Sequence, residues 1–242
     1  MAGSFKTEAV VLRSIRFGEA DRVLHLYSST RGRIGAIAKG SRRPRSRFGG
    51  RLEPFFRLDL VLYEGRGELA TVTSASTVAG HRRLRESGPA LQAAARACDA
   101  VLRLLDAAEP NPPAYNLLCR YLALLDGEGG PAVPAADLAT GLAFRLKLAL
   151  AAGFAPELAS CARCGEQDGL SGFSGPAGGV VCAACEGGGF ELSDDAHEFM
   201  VEALGRPLAD APHAGDRALR QVERAVSEVL EHHAHVRLRP AA

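Results

Sequence analysis

Hydrophobic and polar residues alternate along the first 80 positions of the chain. The clearest alternation sets Leu58, Leu60 and Leu62 against Arg57 and Asp59, which is the period of a strand with one buried face. Gly-containing turn signals separate this run from others like it. Five short strands in fewer than 80 residues predict a small closed barrel. The predicted strands cover residues 8–15, 22–28, 33–38, 57–63 and 69–77.

The pattern changes to helical spacing after Pro89. Ala and Leu residues recur at that spacing through Leu125, and the Gly- and Pro-rich stretch 127–134 is predicted to be a connecting loop. Asp137 is placed to cap the next helix, which Gly153 would end. That helix carries an apolar stripe: Leu138, Leu142, Leu146 and Leu150.

Residues 159–190 interrupt the helical region with Gly, Cys and few apolar side chains. This stretch buries too little surface to fold unaided. Ser193 is placed to cap a further helix. A last helix, reaching to about His235, is predicted from another apolar stripe: Leu219, Val222, Val226 and Val229. We therefore expect an α+β, multidomain chain divided into a barrel (1–80), a helical domain in two parts (81–158 and 191–242) and a cysteine-bearing element (159–190).

The overall composition is that of a folded globular protein. The chain has 242 residues, of which 47% are hydrophobic and 24% are charged. No apolar run approaches the ~18 to 20 residues needed to cross a bilayer, and the first residues lack the apolar stretch of a signal peptide. We expect a cytoplasmic protein with no membrane partner. A reducing compartment disfavours disulfides and directs paired cysteines toward metal binding or redox chemistry.

Four of the six cysteines form two C-x2-C pairs with 17 residues between them: Cys161 with Cys164, and Cys182 with Cys185. Two tight turns of this kind can present four sulfurs at ~2.3 Å from a tetrahedral zinc ion. A redox pair would require a βαβ context, which a Gly-rich insert between helices does not provide. Four protein ligands leave no open coordination position, so one structural zinc per chain is predicted. Cys98 and Cys119 are predicted to be small buried side chains.

Charge is unevenly distributed along the chain. The formal net charge is +1, but residues 1–85 hold 17 Lys and Arg against 7 Asp and Glu, a net of +10. The remainder holds 12 against 21, a net of −9. An N-terminal module of this charge can attract a polyanion even though the whole chain is almost neutral.

Residues 39–51, named the basic loop, contain six cations and no acid: Lys39, Arg42, Arg43, Arg45, Arg47 and Arg51. Most charged segments are simply solvated. Small β-barrels, however, commonly bind single-stranded nucleic acids. Further barrel cations are expected to add to the same surface: Arg13, Arg16, Arg22, Arg31 and Arg33. Few aromatic residues are available for base stacking, and Phe48 is the one within the loop. Most of the others are expected to serve the core: Phe5, Phe17, Tyr27, Phe55, Phe56 and Tyr63. We interpret the six loop cations as phosphate contacts, which makes binding sequence-tolerant and salt-sensitive.

Catalytic motifs are missing from the sequence. It contains no Walker-type phosphate loop, no G-x-S-x-G elbow and no H-E-x-x-H motif, so no enzymatic activity is expected. Two alternatives stay open from the residues alone. The chain could be an RNA-binding barrel protein, or a metal-dependent nuclease with a carboxylate site that no motif reveals.

The order of barrel, basic loop, helices and cysteine pairs resembles the RecO family of recombinational DNA repair proteins. The N-terminal resemblance lies in Gly18-Glu19-Ala20-Asp21-Arg22, Gly32, Ala38-Lys39-Gly40-Ser41-Arg42-Arg43 and Leu52-Glu53-Pro54-Phe55. The central resemblance lies in Leu150, Gly153, Pro156, Cys161, Cys164, Gly165, Phe173, Gly178, Gly179, Cys182 and Cys185. The shared order and spacing of these fragments make the assignment specific.

The resemblance implies an N-terminal OB-fold, a helical domain and an embedded zinc-binding element. It also implies binding of single- and double-stranded DNA and annealing of complementary strands. The implied partners are RecR and the acidic C-terminal tail of single-stranded-DNA-binding protein, with RecA loaded onto coated strands. A nucleoid-associated location is implied as well, and the basic loop matches the family's own basic loop.

Overall fold

The computed structural model describes residues 3–105, 109–127, 137–185 and 187–241. The chain forms two compact units, Met1–Glu128 and Gly129–Ala242. The functional division at residues 80, 158 and 190 remains a prediction, and the predicted loop 127–134 lies outside the described residues except for Gly127. None of the described helices combines the length and the apolar character that crossing a bilayer requires.

Five strands of the first unit close into a barrel in the order β1-β2-β3-β5-β4. Neighbouring strands are antiparallel except β3 and β5, which pair in parallel. This is the OB-like barrel expected from the sequence, although β1 begins five residues earlier than predicted. The strands are β1 (Gly3–Phe17), β2 (Asp21–Ser28), β3 (Gly32–Ala38), β4 (Arg57–Glu64) and β5 (Ala70–Ala79).

The barrel core follows the alternation seen in the sequence. Leu58, Leu60 and Leu62 of β4 are at most 2% exposed and pack with Leu24 and Leu26 of β2. Each such side chain contributes roughly 1.5 to 3 kcal/mol by leaving water. Asp59, which alternates with these leucines, is exposed on the outer side of the barrel.

Three helices complete the first unit: α1 (Arg82–Glu86), α2 (Gly88–Leu104) and α3 (Pro112–Leu125). The side chains of Ser87 and Asn111 accept hydrogen bonds from the first turns of α2 and α3, which explains why the predicted helical stretch is divided. Arg33 of β3 donates a hydrogen bond to the carbonyl of Leu102. This bond joins the barrel to the end of α2.

The second unit contains α4 (Leu138–Ala151), α5 (Asp194–Gly205) and α6 (Asp216–His233). Asp137 accepts a 2.7 Å hydrogen bond from the Thr140 amide, as predicted. Ser193 holds the predicted capping position, but its hydroxyl donates to Gln221 Oε1 at 2.6 Å and makes no cap bond. The predicted stripe of α6 is buried: Leu219, Val222, Val226 and Val229.

A small antiparallel sheet carries the cysteine element, in the strand order β7-β6-β8. Its strands are β6 (Leu170–Ser174), β7 (Gly179–Cys182) and β8 (Phe190–Glu191). The sheet rests on α6, where Gln221 Nε2 donates to the Glu191 carbonyl at 3.0 Å and the Arg224 guanidinium lies 4.0 Å from the Phe190 ring centroid. The element therefore takes part of its support from the helices.

Candidate nucleic-acid interface and metal centre

The basic loop connects β3 to β4 as a series of tight turns. Backbone hydrogen bonds link Arg43 to Gly40, and Ser46 to Arg43. All six predicted contact residues are exposed: Lys39, Arg42, Arg43, Arg45, Arg47 and Arg51. The structure thus places them together on one solvent-facing segment.

The loop cations have no acidic partners. Within the described residues, no carboxylate lies within 4.0 Å of any of the six. Three of them contact carbonyl oxygens instead: Arg42 with Gly18 at 3.3 Å, Arg51 with Arg47 at 3.3 Å, and Arg47 with Val72 at 3.5 Å. Their charges are therefore not neutralised within the protein, which is the condition for attracting phosphates.

The loop is fastened to the barrel at several points. Phe48 is 1% exposed and Leu52 is 2% exposed, both within the barrel core. The carboxylate of Asp21 accepts a 2.7 Å hydrogen bond from the Gly40 amide, and the Arg42 amide donates to the Ala20 carbonyl at 2.8 Å. The expectation that Phe48 is available for base stacking is wrong, because its ring fills the barrel.

Three of the other barrel cations are engaged within the protein. Arg22 pairs with Glu53 at 2.6 Å, and Arg31 pairs with Glu64 at 2.9 Å. Arg33 reaches the end of α2, as described above. Of the predicted five, only Arg13 and Arg16 are exposed and without a carboxylate partner among the described residues. Fewer barrel arginines are therefore available to bind phosphates than the sequence suggested.

The four paired cysteines come together as the sequence predicts. The Sγ atoms of Cys161, Cys164, Cys182 and Cys185 all lie within 4.8 Å of one another. Those of Cys164 and Cys182 are 3.7 Å apart, close to the ~3.8 Å edge of a tetrahedron with 2.3 Å metal–sulfur bonds. Within the described ranges, this is the only group of three or more such residues placed to hold a metal ion.

Local backbone structure sets this geometry. The first pair lies in a turn in which the Gly165 amide donates to the Cys161 carbonyl at 2.8 Å. Gly165 has a φ of 80°, which favours glycine. Cys182 ends β7, and the 3₁₀ turn Ala183–Cys185 presents the last sulfur.

The four sulfurs are close enough to shift one another's pKa. Burial raises the pKa of Cys161, but amides of Cys182, Cys164 and Arg163 outweigh it and lower the pKa to about 6. The pKa of Cys185 rises to about 12, because it shares hydrogen bonds with Cys164 and Cys182. Without a cation, neighbouring sulfurs thus oppose one another's ionisation. A soft divalent metal removes this conflict, so the residues fit such an ion.

The two remaining cysteines lie outside this cluster. Cys98 is 1% exposed, and burial raises the pKa of its thiol far above the ordinary value. Burial also raises the pKa of Cys119. Cys98 is therefore a small core side chain, as predicted, whereas Cys119 is only partly buried. Raised pKa values leave both thiols with little thiolate character.

Two family models together cover almost the whole chain. The model described as "Recombination protein O N terminal" matches residues 1–81, and the one described as "Recombination protein O C terminal" matches residues 85–240. The chain belongs to the RecO family. It is therefore a DNA repair protein of a family that acts on DNA in recombination.

Relatives within the RecO family match most of this chain. DNA repair protein RecO of Rubrobacter xylanophilus is 41% identical over 240 residues, which cover 94% of this chain and 92% of that protein. DNA repair protein RecO of Anaeromyxobacter sp. (strain K) is 36% identical, with 96% and 92% covered. That of Cutibacterium acnes is 38% identical over 188 residues, with 76% and 74% covered.

Several RecO-like residues of the N-terminal signature hold the basic loop and the barrel in place. Arg22 and Glu53 form the ion pair described above, and Asp21 holds the start of the basic loop. Phe55 has a φ of 73°, and its amide donates to the Val11 carbonyl at 2.8 Å. These contacts hold the basic loop on the barrel, and its cations stay exposed.

Proposed function

We propose that this chain binds single- and double-stranded DNA through its basic loop and anneals complementary strands during repair. The observation that carries the proposal is the set of six exposed loop cations, unpaired with any carboxylate in the described structure, on a closed OB-like barrel. Membership of a DNA repair family supports DNA as the polyanion. The proposed contact residues are Lys39, Arg42, Arg43, Arg45, Arg47 and Arg51.

Annealing requires two polyanions to approach each other. Cations held on a firm loop neutralise phosphates of both strands together, which lowers the repulsion that opposes pairing. Base pairing then supplies the favourable free energy. This mechanism needs no nucleotide hydrolysis, and we propose that the chain is not an enzyme.

We further propose that the protein acts with RecR and with single-stranded-DNA-binding protein in loading the recombinase onto coated strands at the nucleoid. This part of the proposal rests on the family resemblance. No residues are assigned to either partner.

We propose zinc as the metal, one ion per chain, ligated by Cys161, Cys164, Cys182 and Cys185. Thiolate donors at tetrahedral spacing are the set that zinc prefers in structural sites. The ion would hold together an element whose own apolar cluster is very small: Cys161, Val181 and Cys182, with three partly buried neighbours. Its proposed role is structural, since the four sulfurs leave no position for water or substrate.

Strand annealing tests the DNA proposal. The variant Arg42→Glu/Arg43→Glu/Arg45→Glu should reduce the annealing rate to that of DNA alone. A matched variant, Arg120→Glu/Arg217→Glu/Arg220→Glu, makes the same charge change at exposed helix positions and should anneal like the wild type. If the loop variant stays folded and anneals at the wild-type rate, the basic loop is not the site.

Repeating the assay on precoated strands tests the partner. Single-stranded-DNA-binding protein with its acidic tail should permit annealing, and the tailless form should slow it. Equal rates with both forms would contradict the proposed partnership. Stronger binding to RNA than to DNA at equal salt would favour an RNA-binding function instead.

A further inference from the structure

The outward face of β1, β2 and β3 carries a row of aliphatic side chains. Ile15 lies opposite Val23, and Val23 lies opposite Ile37. The neighbouring residues Leu24 and Ala36 are buried in the barrel core, so these three residues point away from it. Phe17 is two positions beyond Ile15 and shares its face.

This face is unusually exposed for an apolar surface. Phe17 is 56% exposed, Ile15 is 42% exposed and Leu69 is 40% exposed. Leu69, from the loop between β4 and β5, lies over Gly35 of β3, where a Cβ atom would come within 2.7 Å of Leu69 Cδ2. We name the set Phe17, Ile15, Val23, Ile37 and Leu69 the apolar face.

Helices cover the other end of the same strands. Tyr27 is fully buried and its ring lies 6.2 Å from that of Tyr115 on α3. Arg33, opposite Tyr27, is the residue that reaches Leu102 on α2. The apolar face therefore begins where helix packing stops, and it continues to the turn between β1 and β2.

Cations border the apolar face. Gly18, the residue after Phe17, accepts the 3.3 Å bond from the Arg42 side chain of the basic loop. Arg13 lies on the same face as Ile15, opposite His25. The nearby acid Asp21 is occupied by the Gly40 amide. Glu19 at the turn between β1 and β2 is exposed, and Glu68 is an exposed acid next to Leu69 at the other end of the face. An exposed ring next to unpaired arginines fits a ligand that has both apolar and anionic parts.

A single strand of DNA has that chemistry. Its phosphates are anionic and its bases have apolar faces, whereas a duplex hides those faces by stacking and pairing them. Aromatic and aliphatic surfaces next to basic grooves bind unpaired bases in many single-strand binders, and the strand 2–3 face of OB barrels accepts oligonucleotides.

We infer that the apolar face contacts unpaired bases, with Phe17 as the stacking residue, and so gives the proposed DNA site a preference for single strands. This inference rests on the proposed function, because the basic loop must first hold the phosphates. Phe17 contributes nothing to duplex binding. It lets the protein hold a strand in an unpaired form until its complement arrives.

Binding by Phe17→Ala tests the inference on three ligands of equal length: a single strand, an abasic single strand and a duplex. Loss of one stacked base should weaken single-strand binding by roughly 5- to 150-fold. Binding to the abasic strand and the duplex should match the wild type. Leu91→Ala removes another exposed apolar side chain, 40% exposed on α2, and should change none of the three affinities.

A fluorescent reporter gives a second readout. The chain contains no tryptophan, so Phe17→Trp introduces a single emitter at the proposed stacking position. Its emission should be quenched by the single strand and remain unchanged with the abasic strand. Leu91→Trp should respond to neither.

The outcomes separate the two proposals. Equal losses on all three ligands for Phe17→Ala, or no loss with no quenching in Phe17→Trp, would overturn the role of the apolar face while leaving the basic loop intact. Quenching by an acidic peptide, but not by the oligonucleotide, would assign the face to a protein partner and also overturn it. If the wild type binds no DNA, or the loop charge-reversal variant binds normally, the proposed function itself fails.

Discussion

The phenolic hydroxyl of Tyr115 on α3 donates a 2.7 Å hydrogen bond to Oε1 of Glu8 on β1. The same oxygen accepts a 2.8 Å bond from Arg57 Nε on β4. Burial raises the pKa of Glu8, but the Arg57 and Tyr115 bonds outweigh it, and the pKa lies below its ordinary value. One ionised carboxylate thus joins two barrel strands to a helix within the first unit.

Replacing Glu8 by Gln should destabilise the first unit. The hydrogen bonds to the charged group are weakened, so we expect a loss of about 1.5 to 3 kcal/mol in the free energy of unfolding at pH 7. Because the pKa of Glu8 is lower in the folded state than its unfolded value of about 4.3, its contribution is complete above that value. It is lost as the pH falls through the folded pKa.

Urea unfolding at several pH values measures this contribution. The gap between the wild type and Glu8→Gln should shrink below about pH 4. Tyr115→Phe removes only one donor and should cost less than Glu8→Gln at pH 7. A gap that stays constant down to pH 2 would show that the charge of Glu8 is not what stabilises the contact.

Salt should weaken DNA binding strongly. If about five phosphates are neutralised, log affinity falls with log salt at a slope of roughly −3.5 for single strands and −4.5 for duplex. Titrations at increasing NaCl concentration measure the slope. The loop charge-reversal variant should give a shallower slope, whereas Phe17→Ala should keep the wild-type slope. A flat dependence would exclude phosphate-led binding.

Replacing Phe48 by Ala should lower the free energy of unfolding far more than replacing Phe17 by Ala. Phe48→Ala leaves a cavity in the barrel core and should lower the free energy of unfolding by about 3 to 5 kcal/mol. Phe17→Ala removes a ring that is more than half exposed and should change it by less than about 0.5 kcal/mol. Denaturant unfolding of the two variants side by side makes the comparison. Equal losses would mean that the ring of Phe17 is also part of the core.

Metal analysis should find about one zinc ion per folded chain. Cys182→Ser should lose the ion and lower the thermal stability of the second unit, because the small cysteine cluster then lacks its central support. Cys119→Ala should keep the ion. DNA affinity at fixed salt should be similar in all three proteins, since the basic loop belongs to the first unit. Substantially less than one zinc per chain in the wild type would contradict the four-thiolate site.

Gly179 should not tolerate a side chain. A Cβ atom there would overlap the carbonyl oxygen of Glu157, which accepts a hydrogen bond from Val180. Gly179→Ala should therefore destabilise the second unit by about 1 to 3 kcal/mol. Gly205→Ala, where nothing lies within 4 Å of the added atom, serves as the control in the same thermal scan. Equal melting temperatures for the two variants would contradict the close approach.

The sequence predicts the barrel and the cysteine cluster well, because both depend on local patterns. The alternation around Leu60 sets which face of a strand is buried. The C-x2-C spacing brings two sulfurs into one turn. The structure confirms both arrangements, and it adds the long-range contacts that close the barrel and bring the two cysteine pairs together.

The features that the sequence patterns did not predict depend on contacts between residues far apart in the chain. Phe48 lies among cations and follows no periodic pattern, so nothing local reveals that its ring enters the barrel. The hydroxyl of Ser193 bonds Gln221 on another helix, which a capping rule cannot foresee. The short strands around the cysteines are too rich in Gly to show alternation, and their sheet packs on α6, a helix more than 20 residues further along the chain.

The anchoring of the basic loop by Phe48, Leu52 and Asp21 has a thermodynamic consequence. A disordered cationic segment loses backbone freedom when it meets DNA, and that entropy loss reduces its affinity. Here the loop is ordered when the barrel folds, so much of that loss precedes binding. The charges are already in position when a strand arrives, and the protein can release one strand and take another without the loop folding and unfolding each time.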